Sequence, residues 1–218
     1  MGNCINNVLS PAKHHNKKAY YIALLEVHNK DEFNNYLIDF QAVADKFEGK
    51  PVSLSTDLVD TIDSFTDDAE GFHRCFLMEF PSLVKAQAWY KSTEYQAIIS
   101  KRQNSSAGPV VIASGDAINI HDDKVIVAAF VKAPPVPDEE GPLLGPSLKH
   151  FKGRLLLNCA LKPEHSLREQ AIEFEEKPDE DYDFCVLIAF PSMEQMQAWR
   201  TSDAFPRLNG PLVGLPVE

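Results

Sequence analysis

Tyr90, Tyr95 and Arg102 are the residues of this 218-residue chain whose types and spacing best suit a small-molecule site. The two phenols offer hydrogen bonds, and a guanidinium holds a carboxylate or enolate oxygen through its planar fork. Such sites join aromatic walls to a few polar groups. A purely structural account competes, with the tyrosines packing a helix and Arg102 answering the negative end of that helix. His28, at the end of the first predicted strand, and His73, near the start of the third, are weaker catalytic candidates. One sheet edge could carry both, and an imidazole serves as a base near neutral pH; otherwise they are exposed strand-end residues. Glu26 and Glu79 fall within strands, where an inward carboxylate is expensive unless paired or functional. Cys75 and Cys185 occupy matching strand positions, which favours packing over nucleophilic chemistry. Trp89 and Trp199 also occupy matching positions and read as core.

No His-Glu-x-x-His, P-loop, Gly-x-Gly-x-x-Gly or Gly-x-Ser-x-Gly pattern occurs, so neither metal nor nucleotide nor any other cofactor is expected, and no serine triad can be argued. Four cysteines without Cys-x-x-Cys spacing read as reduced thiols. A net charge of -11 sets nucleic acid aside, because phosphate binding requires a basic patch. Hydrophobic residues at 44% and charged residues at 24% suit an ordinary globular protein. No apolar run approaches the roughly 20 residues of a membrane span. The polar start lacks a signal-peptide core, so a cytoplasmic location is expected. Met1-Gly2-Asn3-Cys4 hints at acylation of Gly2 and Cys4, but Asn6 stands where Ser or Thr is expected, and a flexible tail over residues 1–18 is the plainer reading.

The elements that must position these residues occur twice. Phe80-Pro81-Ser82, Gln87-Ala88-Trp89 and Ser92 recur 110 positions later as Phe190-Pro191-Ser192, Gln197-Ala198-Trp199 and Ser202, and Cys75 recurs as Cys185. Lys46-Phe47-Glu48-Gly49-Lys50 is echoed 104 positions on by His150-Phe151-Lys152-Gly153-Arg154. In the first copy a strand is expected over Tyr20–Val27. A helix follows, capped by Asn29 and Glu32, with a stripe of Phe33, Leu37, Phe40, Ala44 and Phe47 and a stop at Gly49. Strand pieces follow at Pro51–Thr56, Leu58–Phe65 and Phe72–Phe80. Helices are capped by Ser82 and Ser92, and the last strand is Val110–Ser114. The second copy runs Lys124–Val131, a shorter helix from Leu143 or Pro146, Arg154–Leu161, Leu167–Glu175, Phe184–Phe190, a helix from Ser192, and Leu212–Leu215. The charge run Glu173–Asp183 reads as a solvated hairpin tip. A β-α-β-β-α-β unit covers one sheet face with helices, so the other face needs a partner, and the second copy is at hand.

The run Glu79-Phe80-Pro81-Ser82, then Ala88-Trp89-Tyr90-x-Ser92-x-Glu94-Tyr95-Gln96 and Arg102, with the opening Ala19-Tyr20-Tyr21-Ile22-Ala23, resembles the bacterial family catalogued as domain of unknown function 1330. The likeness spans Ala19–Ser114 and is looser from Lys124 onward. It implies a dimeric α+β-barrel, ferredoxin-like fold, here expected as two tandem repeats (19–116 and 124–218) forming an intramolecular pair, with further homo-oligomers open. It implies no activity, although the wider superfamily includes cofactor-free monooxygenases, isomerases, decarboxylases and haem enzymes. Tyr90 becomes Arg200, Tyr95 becomes Phe205, and nothing clearly replaces Arg102 in the second copy, so one pocket is expected, in the first. The expectation is a small-molecule-binding protein, with a cofactor-independent enzyme acting on a carbonyl or aromatic substrate as its furthest extension; the alternative is a scaffold or interaction module with no small-molecule site.

Overall fold

The computed structural model describes residues 17–54, 74–132, 145–161, 172–176, 182–203 and 212–217. The first sheet is built on β1 (Lys18–Val27), whose apolar run lets it be buried on both faces and so take a central place. Strands β3 (Arg74–Phe80) and β5 (Val110–Gly115) flank it antiparallel, and β2 (Lys50–Leu54) lies outside β3. A two-residue strand, β4 (Ser106–Ala107), pairs with the end of β1 and was not foreseen. One face is covered by α1 (Lys30–Asp45), α2 (Leu83–Tyr90) and α3 (Thr93–Gln103). Each helix starts where the sequence places a cap: Asn29 Oδ1 accepts from Glu32 N at 3.3 Å, Ser82 Oγ from Lys85 N at 3.3 Å, and Ser92 Oγ from Tyr95 N at 3.1 Å.

The second sheet holds β6 (Val125–Val131), β7 (Arg154–Ala160), β9 (Phe184–Phe190) and β10 (Leu212–Pro216) in the order β10-β6-β9-β7. That is the order of β5-β1-β3-β2, and every pairing is antiparallel. Helices α4 (Gly145–His150) and α5 (Met193–Arg200) lie over its outer face, where Leu148, Met196 and Trp199 pack. Local details repeat as well. Both edge strands bulge, at Pro51/Ser53 and at Leu155/Leu157. Both helix-to-strand turns place a non-glycine residue in the left-handed region, Glu48 at φ 62° and Lys152 at φ 56°. The expected role of Gly49 as the helix-stopping residue is therefore corrected. Glu48 takes the strained conformation, and Gly49 is needed because a Cβ there would lie 2.6 Å from Phe80 Cε1, as one on Gly153 would lie 2.8 Å from Phe190 Cε1.

Alternation along β1 sends Ala19, Tyr21, Ala23 and Leu25 toward the helices and Tyr20, Ile22 and Leu24 to the opposite face. There the second sheet meets the first. Tyr20, Ile22, Leu24, Leu77 and Val111 share one buried cluster with Ile126, Phe130, Leu187 and Leu215. The layers thus run helices, sheet, sheet, helices, an α+β architecture in which the described strands form two facing sheets and no closed barrel.

The strand expected near Leu167–Glu175 is found as β8 (Ile172–Glu176), but it pairs with β5 of the first sheet. The reading of Glu173–Asp183 as a solvated tip is corrected at its two ends, since Ile172–Glu176 forms a ladder and Tyr182 and Asp183 are buried, while residues 177–181 lie outside the described residues. Backbone pairing at the outer edge of β5 outweighs the acidic composition of the segment. The strand expected over Leu58–Phe65 lies outside the described residues.

Candidate functional site

Burial of the stripe Phe33, Tyr36, Phe40, Val43 and Ala44 seats α1 on the sheet, while the Ser92 cap turns the chain into α3 beside it. Tyr90, Tyr95 and Arg102 fall in the layer between these helices and the sheet. All three are buried, Tyr95 and Arg102 to within 1% of full burial. The Tyr90 and Tyr95 rings lie 5.0 Å apart, and Trp89 stacks on Tyr95 at 4.3 Å. Tyr95 Oη is 3.1 Å from Tyr36 Oη, and Tyr21 of β1 is a second hydrogen-bond partner of Tyr95. The expected trio is therefore brought together, and two further phenols join it. Tyr36 was legible, since it lies three residues after Phe33 and four before Phe40 on the same helical face; the expected stripe took Leu37, which is only partly buried.

Desolvation pushes the Tyr95 and Tyr36 phenols above their ordinary range, and the Arg102 guanidinium opposes that push in both. The cluster thus sets a buried cation among phenols inside apolar walls, groups that chemically suit an oxygen carrying negative charge. Its rings also pack with centroid separations of 4.3–6.4 Å, as aromatic core does. Outside it, a surface groove of about 380 Å³ runs between α1 and α3, lined by Glu32, Asn35, Ile38, Asp39 and Lys101.

The remaining candidates fall elsewhere. His28 is exposed at the end of β1, with Nε2 3.1 Å from the Asn104 carbonyl, and its backbone N–H donates to Ser105 O. That places it on a turn beside the C-terminus of α3. His73 lies outside the described residues. Glu26 is exposed. Glu79 is part-buried, pairs with Lys18 at 3.1 Å and accepts from Tyr20 Oη at 3.2 Å, so the expected need for a partner is met. Tyr20 Oη also lies 2.8 Å from Asp116 O, its single proton shared between that carbonyl and Glu79, and accepts from Ile118 N, and burial together with Glu79 drives its phenol far upward. The nearby Arg154 binds Ala117 O at 3.1 Å and the buried Asp123 carboxylate, which fastens the connection between the sheets. Cys75, Cys159 and Cys185 are buried free thiols of the inter-sheet core, and burial lifts Cys159 to about 12. Among the described residues no helix is long and apolar enough to cross a membrane.

Residues 18–116 match the family described as Domain of unknown function (DUF1330). No curated protein sequence matches the chain. Among solved structures, a chlorite dismutase variant from Candidatus Nitrospira defluvii in complex with cyanide is 8% identical, with a TM-score of 0.47 over 92% of this chain and 90% of that one. A heme-binding protein from Thermus thermophilus is 7% identical, with a TM-score of 0.45 over 92% and 90%. A protein of unknown function from Rhodopseudomonas palustris is 14% identical, with a TM-score of 0.39, covering 48% of this chain and 85% of that one.

Proposed function

We propose that this chain, whose residues 18–116 match the DUF1330 family, is a cytoplasmic small-molecule-binding protein with one site, in its first half. The carrying observation is the burial of Arg102, 1% exposed, in one layer with the Tyr90, Tyr95 and Tyr36 phenols, on two of which its charge acts. The ligand chemistry that fits is a carbonyl or aromatic compound with a carboxylate or enolate oxygen for Arg102, flanked by the phenols of Tyr90 and Tyr95. Acting on such a compound without a cofactor would extend binding to catalysis, with His73 or His28 as the base. We read the molecule as two tandem units, 19–116 and 124–218, the second unit lending β8 to the first sheet. The second unit carries no equivalent site, because Arg200 and Phe205 stand where the first has Tyr90 and Tyr95.

The test is native mass spectrometry of protein purified from cell extract, followed by metabolite identification. A small molecule retained by wild type, lost from Arg102→Met and weakened at least tenfold in Tyr95→Phe, with both variants folded, supports the reading. A chain that retains and binds nothing from a carboxylate and ketone library sinks it. A second reading, a scaffold or interaction module without a small-molecule site, is favoured by the apolar side chains that fill the space between the sheets. It predicts that Arg102→Met changes stability alone.

A further inference from the structure

Helices α1 and α3 are tied to each other at two depths. At the inner level Tyr36 Oη meets Tyr95 Oη at 3.1 Å, with both residues at most 1% exposed. At the outer level Lys101 Nζ donates to Asp39 Oδ2 at 2.7 Å, with side chains 40% and 41% exposed. On α1 the two ties stand one helical turn apart, and on α3 the outer tie is adjacent in sequence to Arg102. The groove opens at the outer tie, and Ile38 in its wall is 74% exposed.

The other sides of the cluster are closed more firmly. Tyr21 of β1 backs it from the sheet, where β1 is hydrogen-bonded along its length to β3 and β5. Trp89 of α2 stacks on Tyr95, and Phe40 packs against Trp89 at 5.6 Å. Parting α1 from α3 breaks side-chain ties alone, whereas a route through the sheet breaks strand ladders and one past α2 breaks the packing of Trp89 on Tyr95 and Phe40. Resting on the binding site proposed above, we infer that the α1–α3 seam is the entrance to the phenol and guanidinium cluster and that the Asp39–Lys101 pair is its latch.

The latch is tested without any ligand, by hydrogen exchange of the two tryptophan indole N–H groups followed by NMR. Trp89 lies behind the seam. Trp199, equally buried in the second half, is the internal reference, its resonance identified through its bond to Ser147 Oγ with Ser147→Ala. Asp39→Asn and Lys101→Met are each expected to speed exchange at Trp89 about two- to fivefold, the range a half-exposed ion pair allows, and to leave Trp199 unchanged. The double variant should show no further gain, and the reversed pair Asp39→Lys with Lys101→Asp should restore slow exchange. Unchanged exchange at Trp89, or acceleration of both indoles together, overturns the latch. If Arg102→Met abolishes ligand retention while the seam variants leave exchange unchanged, the binding site stands and this entrance does not.

Discussion

Trp89 and Trp199 sit in nearly the same setting, yet only one has an acceptor for its indole N–H. The helices that carry them begin at Ser82 and Ser192 with φ/ψ of -160°/163° and -162°/161°. Phe80 lies 5.1 Å from Trp89 at 34°, and Phe190 lies 5.3 Å from Trp199 at 39°. The two indoles therefore pack on their phenylalanines with matching ring geometry. Trp199 Nε1 donates to Ser147 Oγ at 3.3 Å, whereas Trp89 Nε1 is buried without a hydrogen-bond partner among the described residues. The matching turn bonds, Gly49 N to Ala44 O and Gly153 N to Leu148 O, make Val43 the counterpart of Ser147. Replacing Val43 with Thr keeps the branched shape and supplies the missing oxygen. An orphaned buried donor costs about 1–3 kcal/mol. The change gives up the burial of one methyl, about 0.8 kcal/mol, while the threonine hydroxyl can donate its own proton to the carbonyl one turn back. The expected balance is stabilisation by about 0.5–1 kcal/mol, read as a higher urea midpoint at unchanged slope and a Tm about 1–4 °C higher. The reciprocal Ser147→Val should destabilise by about 1 kcal/mol. A Val43→Thr protein less stable than wild type by about 1 kcal/mol, the ordinary result of burying an unmatched hydroxyl, would refute the reasoning.

Two other outcomes follow from packing and burial. Gly49→Ala and Gly153→Ala should each cost about 1–3 kcal/mol in urea unfolding, because the new Cβ meets a phenylalanine ring held in the core at 2.6 or 2.8 Å; a neutral result at both would show that the rings yield. Stability should hold to about pH 8.5 and fall above it. The Cys75, Cys159 and Cys185 thiols and the Tyr20, Tyr36 and Tyr95 phenols have folded pKa values raised by burial, so the native state binds protons that the unfolded chain releases. Urea midpoints at about pH 7, 9 and 10.5, with tyrosinate absorbance at 295 nm, check this; tyrosinate signal from these phenols before unfolding would contradict it.

Strands and helices with strong local signals were legible from side-chain types alone. Phe184–Phe190 is uniformly apolar and ends at a proline, and it forms β9 over those residues. The three serine or asparagine caps of the first half likewise mark the helix starts. What was missed depends on contacts between distant segments. β8 carries a charge run that composition assigns to solvent, and only the free edge of β5 gives it a ladder. Tyr36 was passed over for Leu37 because both lie near the stripe and only packing against α3 decides between them. Tyr90, Tyr95 and Arg102 were found because their types suited a site, but sequence could not say that the space around them is lined by four tyrosines and a tryptophan.

The two faces of each sheet are under different constraints, and that difference indicates where a function is to be sought. Between the sheets, side chains from one half pack against the other half, so a change on one side must be accommodated by both. The outer faces carry no such coupling, and there the halves differ. The first bears a 16-residue α1 tied to α3, with four tyrosines and a buried arginine beneath; the second bears a six-residue α4 and one tryptophan bonded to a serine. A long helix over an aromatic, cationic cluster is more than the described residues place over the second sheet, where α4 and α5 bring Leu148, Met196 and Trp199 to the core. The helix face of the first half is therefore where binding should be tested first, and Arg102→Met separates its two explanations: a core residue loses stability, while a recognition residue loses ligand from a protein that remains folded.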